Sequence, residues 1–331
     1  MDAEKRTRGL PAVAEGRQRR LGFPNIPPRL WLWVFIILAA WAIVYWKYTQ
    51  EKLDHARNAL LARQRDAAAQ LGQRFLPVRE KIERWIVEGA GPWQGDLLAP
   101  DAQQSAFRAK PAVYLRLLLT DAQQVKTIRD ASQGSLRDAF TSCLFRGDNP
   151  DPWSGPECKF NHDCPSAQHC NETNHCTIPA QPFNLRVFYR GARVLSDEWI
   201  KDVREAGDDM RLRLLEHDFD AAIKEDVPLA IDLLVRGQFF MFVLDEPAAD
   251  PASVPDAGGP MESLQAAPHP ARVLVYDIAQ GKLVLRLRVE AAAQLTGPSV
   301  DPKTAMAVRR QANSCAIAVA VRRALGDPDA P

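Results

Sequence analysis

The stretch Leu30–Trp46, LWLWVFIILAAWAIVYW, decides how the chain is organised, because seventeen residues pass without a charge or an amide. As a helix it reaches roughly 25 Å, the short end of what crosses a hydrocarbon core of about 30 Å. Trp31 and Trp33 stand at one end and Tyr45, Trp46 and Tyr48 at the other, where amphipathic rings favour the two membrane–water interfaces. Arg29 and Lys47 fence the run. A buried helix of a soluble domain rarely lacks polar residues for so long. Ala40-Trp41-Ala42 mimics a signal-peptidase site, but the n-region would be 29 residues long and the apolar run continues past the cut, which suits an uncleaved signal anchor. Arg19-Arg20 is followed by Leu21-Gly22-Phe23, a poor fit to a twin-arginine signal.

Orientation follows from counting cations. The N-terminal tail carries seven (Lys5, Arg6, Arg8, Arg17, Arg19, Arg20, Arg29), against five between Lys47 and Asp66. This bias places the tail in the cytoplasm and everything after the span outside, in a single pass of the cytoplasmic membrane. The whole chain of 331 residues has 42 basic and 41 acidic side chains, a net charge of +1, so nothing in the total favours nucleic acid as partner. With 46% hydrophobic and 25% charged residues, the bulk of the chain is expected to fold.

Four of six cysteines fall in one stretch at even spacing, Cys158-x5-Cys164-x5-Cys170-x5-Cys176, beside turn formers such as Asp148, Pro150, Pro152 and Pro156. Such a segment cannot build a core of its own, and in an oxidising compartment it reads as two disulfides with three possible pairings. The alternative is a metal site, because His162, His169 and His175 alternate with the thiols. Structural zinc sites usually show closer cysteine pairs, so disulfides are the preferred reading. Cys143 and Cys315 sit in apolar helical stretches and are either buried free thiols or a long-range bridge. With Asp163-Cys164-Pro165, the spacing resembles small disulfide-rich inserts in membrane-anchored extracytoplasmic proteins of GC-rich bacteria; the likeness covers about twenty residues and implies a location but no activity.

Beyond the span, residues 48–74 continue as helix, with a broken heptad (Leu53, Ala56, Leu60, Ala67, Leu71) that suits a stalk rather than a coiled coil. Pro77 is expected to open a second helix whose Val78, Ile82, Trp85 and Ile86 share a face, ended by Gly89-Ala90-Gly91-Pro92. Residues 112–120 read as a strand, Asp121–Gln124 as its turn and Val125–Ile128 as its hairpin partner, followed by a helix capped by Ser135. Residues 272–276 and 283–289 read as another hairpin, with a helix from Pro302 to about Leu325 capped by Asp301. The two segments would then share one order of elements, which a duplication would explain. Between them, residues 183–189 alternate as a strand, Ser196 caps a helix carrying Trp199, Val203, Met210 and Leu214, Pro228–Val235 is helix, and Phe239–Leu244 is a central strand. Residues 246–271, with six prolines, read as a flexible surface loop.

The chain has no GxSxG, phosphate loop, GxGxxG, HExxH or SxxK. His55, His217 and His269 read as solvated side chains. Asp245-Glu246 is the best carboxylate pair, but neighbours on a strand point to opposite faces and a solvated turn is expected. Arg309-Arg310 and Arg322-Arg323 favour a helix C-terminus.

The expectation is an α+β protein with one transmembrane helix: cytoplasmic tail 1–29, span 30–46, helical stalk 47–90, a first α+β module 91–157, a Cys-rich insert 158–176 and a second module 177–331 with its loop at 246–271. Its partners would be the membrane lipid bilayer and an envelope protein, with no nucleic acid, no cofactor and no identifiable catalytic residue. The expected role is a non-enzymatic binding or scaffolding module of the cell envelope. The alternatives are an envelope enzyme with a dispersed site and a metal-binding Cys/His cluster. Thiol counting with elemental analysis separates the last from the disulfides: the four clustered cysteines should give no reactive thiol and hold no zinc, and four thiols with one zinc would overturn the assignment.

Overall fold

The computed structural model describes residues 28–102, 110–135, 139–144, 156–164, 169–170, 174–177, 183–255, 259–293 and 302–327. Two compact units divide the chain, residues 1–55 and 56–331. Helix α1 (Pro28–Ala90) is 63 residues long. In the first unit its side chains from Leu30 to Tyr48 are exposed all round the helix, and its most apolar window has a mean hydropathy of 1.8 with none of it buried. Among the described residues this is the one helix long and apolar enough to cross a membrane.

The second unit is built on a six-stranded mixed sheet in the order β1 (Leu97–Leu98), β8 (Lys282–Ala291), β7 (His269–Asp277), β6 (Phe239–Asp245), β2 (Ala112–Leu118) and β5 (Phe183–Asn184). β6 is buried along its whole length, as expected of a strand covered on both faces, and pairs parallel with β2 and antiparallel with β7. The β7–β8 hairpin also forms as expected. Its turn closes with Asp277 accepting from the Gln280 amide at 2.8 Å, and Gly281 takes φ +67°, a conformation that favours glycine.

One face of the sheet packs on the C-terminal half of α1. Trp85 stacks on Tyr276 with ring centroids 4.5 Å apart. A Cβ on Gly89 would stand 2.9 Å from Phe242 and 3.2 Å from Leu274, so only glycine lets the last turn of the helix come this close. The other face carries Tyr114, Met241, Val243, Val273, Val275 and Leu285. They share a core with Ile317, Ala318 and Val321 of α9 (Pro302–Ala324) and with Phe140 and Leu144 of α3 (Phe140–Leu144). Strands from both expected modules thus lie in one sheet, and Cys143 of α3 is disulfide-bonded to Cys315 of α9.

Several expectations need correction. No second helix opens at Pro77: α1 runs through it, with Phe75, Ile82, Trp85 and Ile86 buried on either side, and burial of that apolar face outweighs the one hydrogen bond a proline removes. Nor is residues 56–90 a free stalk. Leu60, Leu61 and Gln64 are buried, Arg63 pairs with Glu216 and Asp220, and Arg74 pairs with Asp232. Val125–Ile128 is not a strand but the start of α2 (Val125–Gln133), which buries Ile128 and Ser132 at helical spacing. With that hairpin gone, the case for a duplication falls. The cap expected at Ser135 involves residues 136–138, which lie outside the described residues; the Ser135 hydroxyl donates to the Arg116 carbonyl.

Residues 183–189 form only the two-residue β5 before α4 (Arg186–Ala192), which buries the consecutive Phe188 and Tyr189, something a strand cannot do on one face. The helix capped by Ser196 stops as α5 (Asp197–Arg204), and Asp208 caps a separate α6 (Asp209–Ala221) by accepting from the Arg211 amide. A π turn, Ala222–Asp226, leads into α7 (Val227–Arg236), close to the expected helix. The expected loop 246–271 holds α8 (Pro260–Ala266), whose Ser263, Leu264, Gln265 and Ala266 are buried. Asp301 lies outside the described residues.

The Cys-rich segment pairs Cys158 with Cys170 and Cys164 with Cys176, with β3 (His169–Cys170) lying against β4 (Cys176–Thr177). Asp163 accepts from the amides of Lys159 and Phe160, which hold its carboxyl below the usual range. Gly89→Ala should lower stability by about 1–3 kcal/mol through overpacking against Phe242 and Leu274. Urea unfolding of the purified protein measures it, and an unchanged midpoint would contradict the close approach described.

Candidate functional site

The C-terminal end of β6 carries Asp245 and Glu246, and the sheet sends them to opposite faces. Asp245 turns toward α9 and is wholly buried. It accepts both Arg116 Nε and Nη2 at 2.8 Å, Gln265 Nε2 at 3.1 Å and His269 Nε2 at 3.0 Å. Four donors thus occupy the four acceptor positions of one carboxylate. Arg116 also donates to Ser314 Oγ at 2.7 Å, and Asn313 donates to the carbonyls of Gln265 and Ala267. Burial alone would raise the Asp245 carboxyl. The charge of Arg116 and the hydrogen bonds from His269 and Arg116 outweigh it and hold the group well below the usual carboxylate range.

The solvated turn expected at Asp245-Glu246 and the solvated His269 are therefore both corrected: the start of β7 carries His269 into the core, where it is fully buried. A histidine beside a carboxylate suggests general-base chemistry, but a base needs a ring nitrogen open to substrate. Here Nδ1 meets the Ala267 carbonyl at 2.8 Å and Nε2 meets Asp245. Ser314 Oγ, between Arg116 and the Arg310 carbonyl, is equally engaged. The cluster joins β2, β6, β7, α8 and α9; both ring nitrogens of His269 and both oxygens of Asp245 are engaged, and Gln265 Oε1 is buried without a hydrogen-bond partner.

Glu246 faces the other way and pairs with Arg272 and Arg288. Burial opposes its ionisation, but the hydrogen bonds from the two arginines win and lower its carboxyl below the ordinary value. Arg272 also donates to the carbonyls of Gly89 and Gly91 at the end of α1 and lies over the Trp93 ring, 5.4 Å from its centroid. A cation thus meets carbonyls that the helix leaves unbonded.

The open site lies elsewhere. A groove of about 940 Å³ runs between α4, α6 and the end of α2, with edge strand β5 contributing Phe183 and Asn184. Its apolar floor includes Phe183, Val194, Trp199 and Leu215, and along one wall stand Arg186, Arg190 and Arg193. Their spacing of i, i+4, i+7 puts all three on one helical stripe. Arg193 pairs with Asp202 at 2.8 Å, Arg186 reaches the Ser135 carbonyl only at 3.5 Å, and Arg190 is exposed and has no ion-pair partner among the described residues. The groove is also lined by His217, Asp218 and Asp226, the last packed against Gly191 of α4.

The remaining expected residues are dispersed. His217 is exposed, 3.9 Å from Asp218. His162 stacks on Phe160 beside Asp163. The sulfurs of Cys158, Cys164 and Cys176 lie within 4.8 Å of one another, but each is bonded in a disulfide, which removes the thiolates a metal would need. Arg322 pairs with Asp327. A strand over residues 183–189 hides the arginine row; the spacing in RVFYRGAR from Arg186 to Arg193 is its local signal. No protein-family model, curated protein or solved structure matches the chain.

Asp245→Asn replaces one carboxylate oxygen, which accepts two hydrogen bonds, with an NH2 donor and should cost about 3–5 kcal/mol in urea unfolding. Because the folded carboxyl titrates lower than the unfolded one, its contribution is full above about pH 4 and is lost as the pH falls through the folded value. The variant should show a shallower acid loss than the wild type, and equal slopes would contradict the role given to Asp245.

Proposed function

We propose that this chain is a single-pass, membrane-anchored binding protein of the cell envelope, N-terminus inside, which recognises a partner through the α4–α6 groove. The groove carries the reading. It is open, lined by apolar side chains and by Arg190, which has no ion-pair partner among the described residues, whereas the His269–Asp245 pair is sealed in the core. Ligand sites combine these features, an apolar concavity with a few placed polar groups.

Location rests on two further supports. An apolar helix exposed on every side has no place in water, and lipid is the solvent that accepts it. Three disulfides suit an oxidising compartment, and among the described residues no cysteine is free. The N-terminal cations favour the cytoplasmic side.

Two measurements test the proposal. Protease added to sealed spheroplasts should remove an epitope placed after Pro331. A photo-crosslinking residue at Val187, in the groove, should give a discrete adduct in intact cells, while the same residue at the exposed hairpin position Gln280 should not. Survival of the epitope would overturn the location, and equal labelling at the two positions would overturn the groove as the binding surface.

A further inference from the structure

Resting on that reading of the groove, we infer that its ligand is an extended peptide segment with acidic residues at alternate positions and apolar residues between them. Three observations point there. Arg186, Arg190 and Arg193 form a row along one wall, and Arg190 is held by no acid of this chain among the described residues. Arg186 and Arg190 are about 6 Å apart along α4, and Arg193 follows in a 3-10 turn just past its end, paired with Asp202. Same-face side chains of an extended peptide recur about every 6.6 Å, so acidic groups two residues apart can follow the row.

The floor is apolar, with Phe183, Val194, Trp199 and Leu215, which suits side chains pointing the other way from an extended backbone. The groove also borders β5, the two-residue outer strand of the sheet, which among the described residues pairs with β2 on one side only. An open sheet edge beside a side-chain groove is the geometry that receives an added extended segment. A compact anion would use the arginines but leave the apolar floor and the sheet edge uncovered, so a peptide fits better than a phosphate.

The full chain in detergent micelles, at 0.15 M salt, is titrated into fluorescein-labelled Glu-Leu-Glu-Leu-Glu-Leu and followed by anisotropy. Arg190→Glu should weaken binding at least tenfold. Arg213→Glu makes the same charge change on the exposed side of α6, where Arg213 pairs only with Asp209, and should leave binding within twofold. Circular dichroism checks that both variants keep the wild-type fold, and Arg190→Gln provides a milder second variant with an intermediate loss. A Lys-Leu peptide should not bind.

Equal binding of the acidic and basic peptides, or equal losses for the 190 and 213 variants, would overturn the inference. So would binding of inorganic polyphosphate with none of the Glu-Leu peptide. A specific crosslink at Val187 in cells, without Glu-Leu binding in vitro, would leave the binding role standing and remove the acidic ligand.

Discussion

One strand end holds the second unit together. At the close of β6, two consecutive carboxylates leave the backbone in opposite directions, and each gathers arginines: Asp245 takes the buried Arg116, and Glu246 takes Arg272 and the half-exposed Arg288. Arg116 is one of the largest fully buried side chains of the molecule, and an unpaired guanidinium in that position would be prohibitive. Asp245 makes it tolerable by accepting two parallel hydrogen bonds from it, the geometry in which arginine and carboxylate interact best. Gln265 and His269 complete the carboxylate's coordination, so α8 and the start of β7 must dock before the charge is satisfied. Such a cluster specifies one arrangement more than it adds stability, because a partly assembled version is worse than none.

Glu246 does the corresponding work on the other face, gathering Arg272 and Arg288, and Arg272 in turn holds the last carbonyls of α1. A third buried acid, Glu83 of α1, accepts from Arg129 Nε and Nη2 of α2 at 2.8 and 2.9 Å. Near it, the Tyr189 hydroxyl of α4 is pushed well above its ordinary range by burial and by the charge of Glu83. Residues 56–90 are therefore a structural helix of the folded unit, tied down at several levels. With that helix fixed, α4 is held by its buried Phe188 and Tyr189, and Phe188 meets Phe75 of α1 edge to face. The opposite stripe of α4, the arginine row, is what remains to face the groove.

Much of the secondary structure was legible because its signals are local. The apolar run, the β7–β8 hairpin, the central β6, the Ser196 cap and the last helix all follow from periodicity or capping chemistry. The errors share a cause. Residues 183–189 and 125–128 have patterns compatible with either a strand or a helix, and which one wins depends on what covers them. The proline content of residues 246–271 concealed a short helix that starts with Pro260 at its first turn, a position where proline is favourable. The charged core was invisible for a related reason: an arginine inside an apolar strand, a histidine in a proline-rich stretch and a carboxylate at a strand end look unrelated until the sheet aligns them.

By itself the sequence determined the long apolar helix, the α+β character of the region after it and the crowding of four cysteines into one short segment, because apolar length and spacing are properties of contiguous residues. Only the tertiary structure decided that Cys158 pairs with Cys170 and Cys164 with Cys176, that Cys143 meets Cys315 across 172 residues, and that Arg116, Asp245 and His269 share one buried network. The same is true of the groove, whose arginine row exists only once α4 has chosen to be a helix. Those facts depend on which faces pack together, and the choice is made by burial and by hydrogen bonding between residues far apart in the chain.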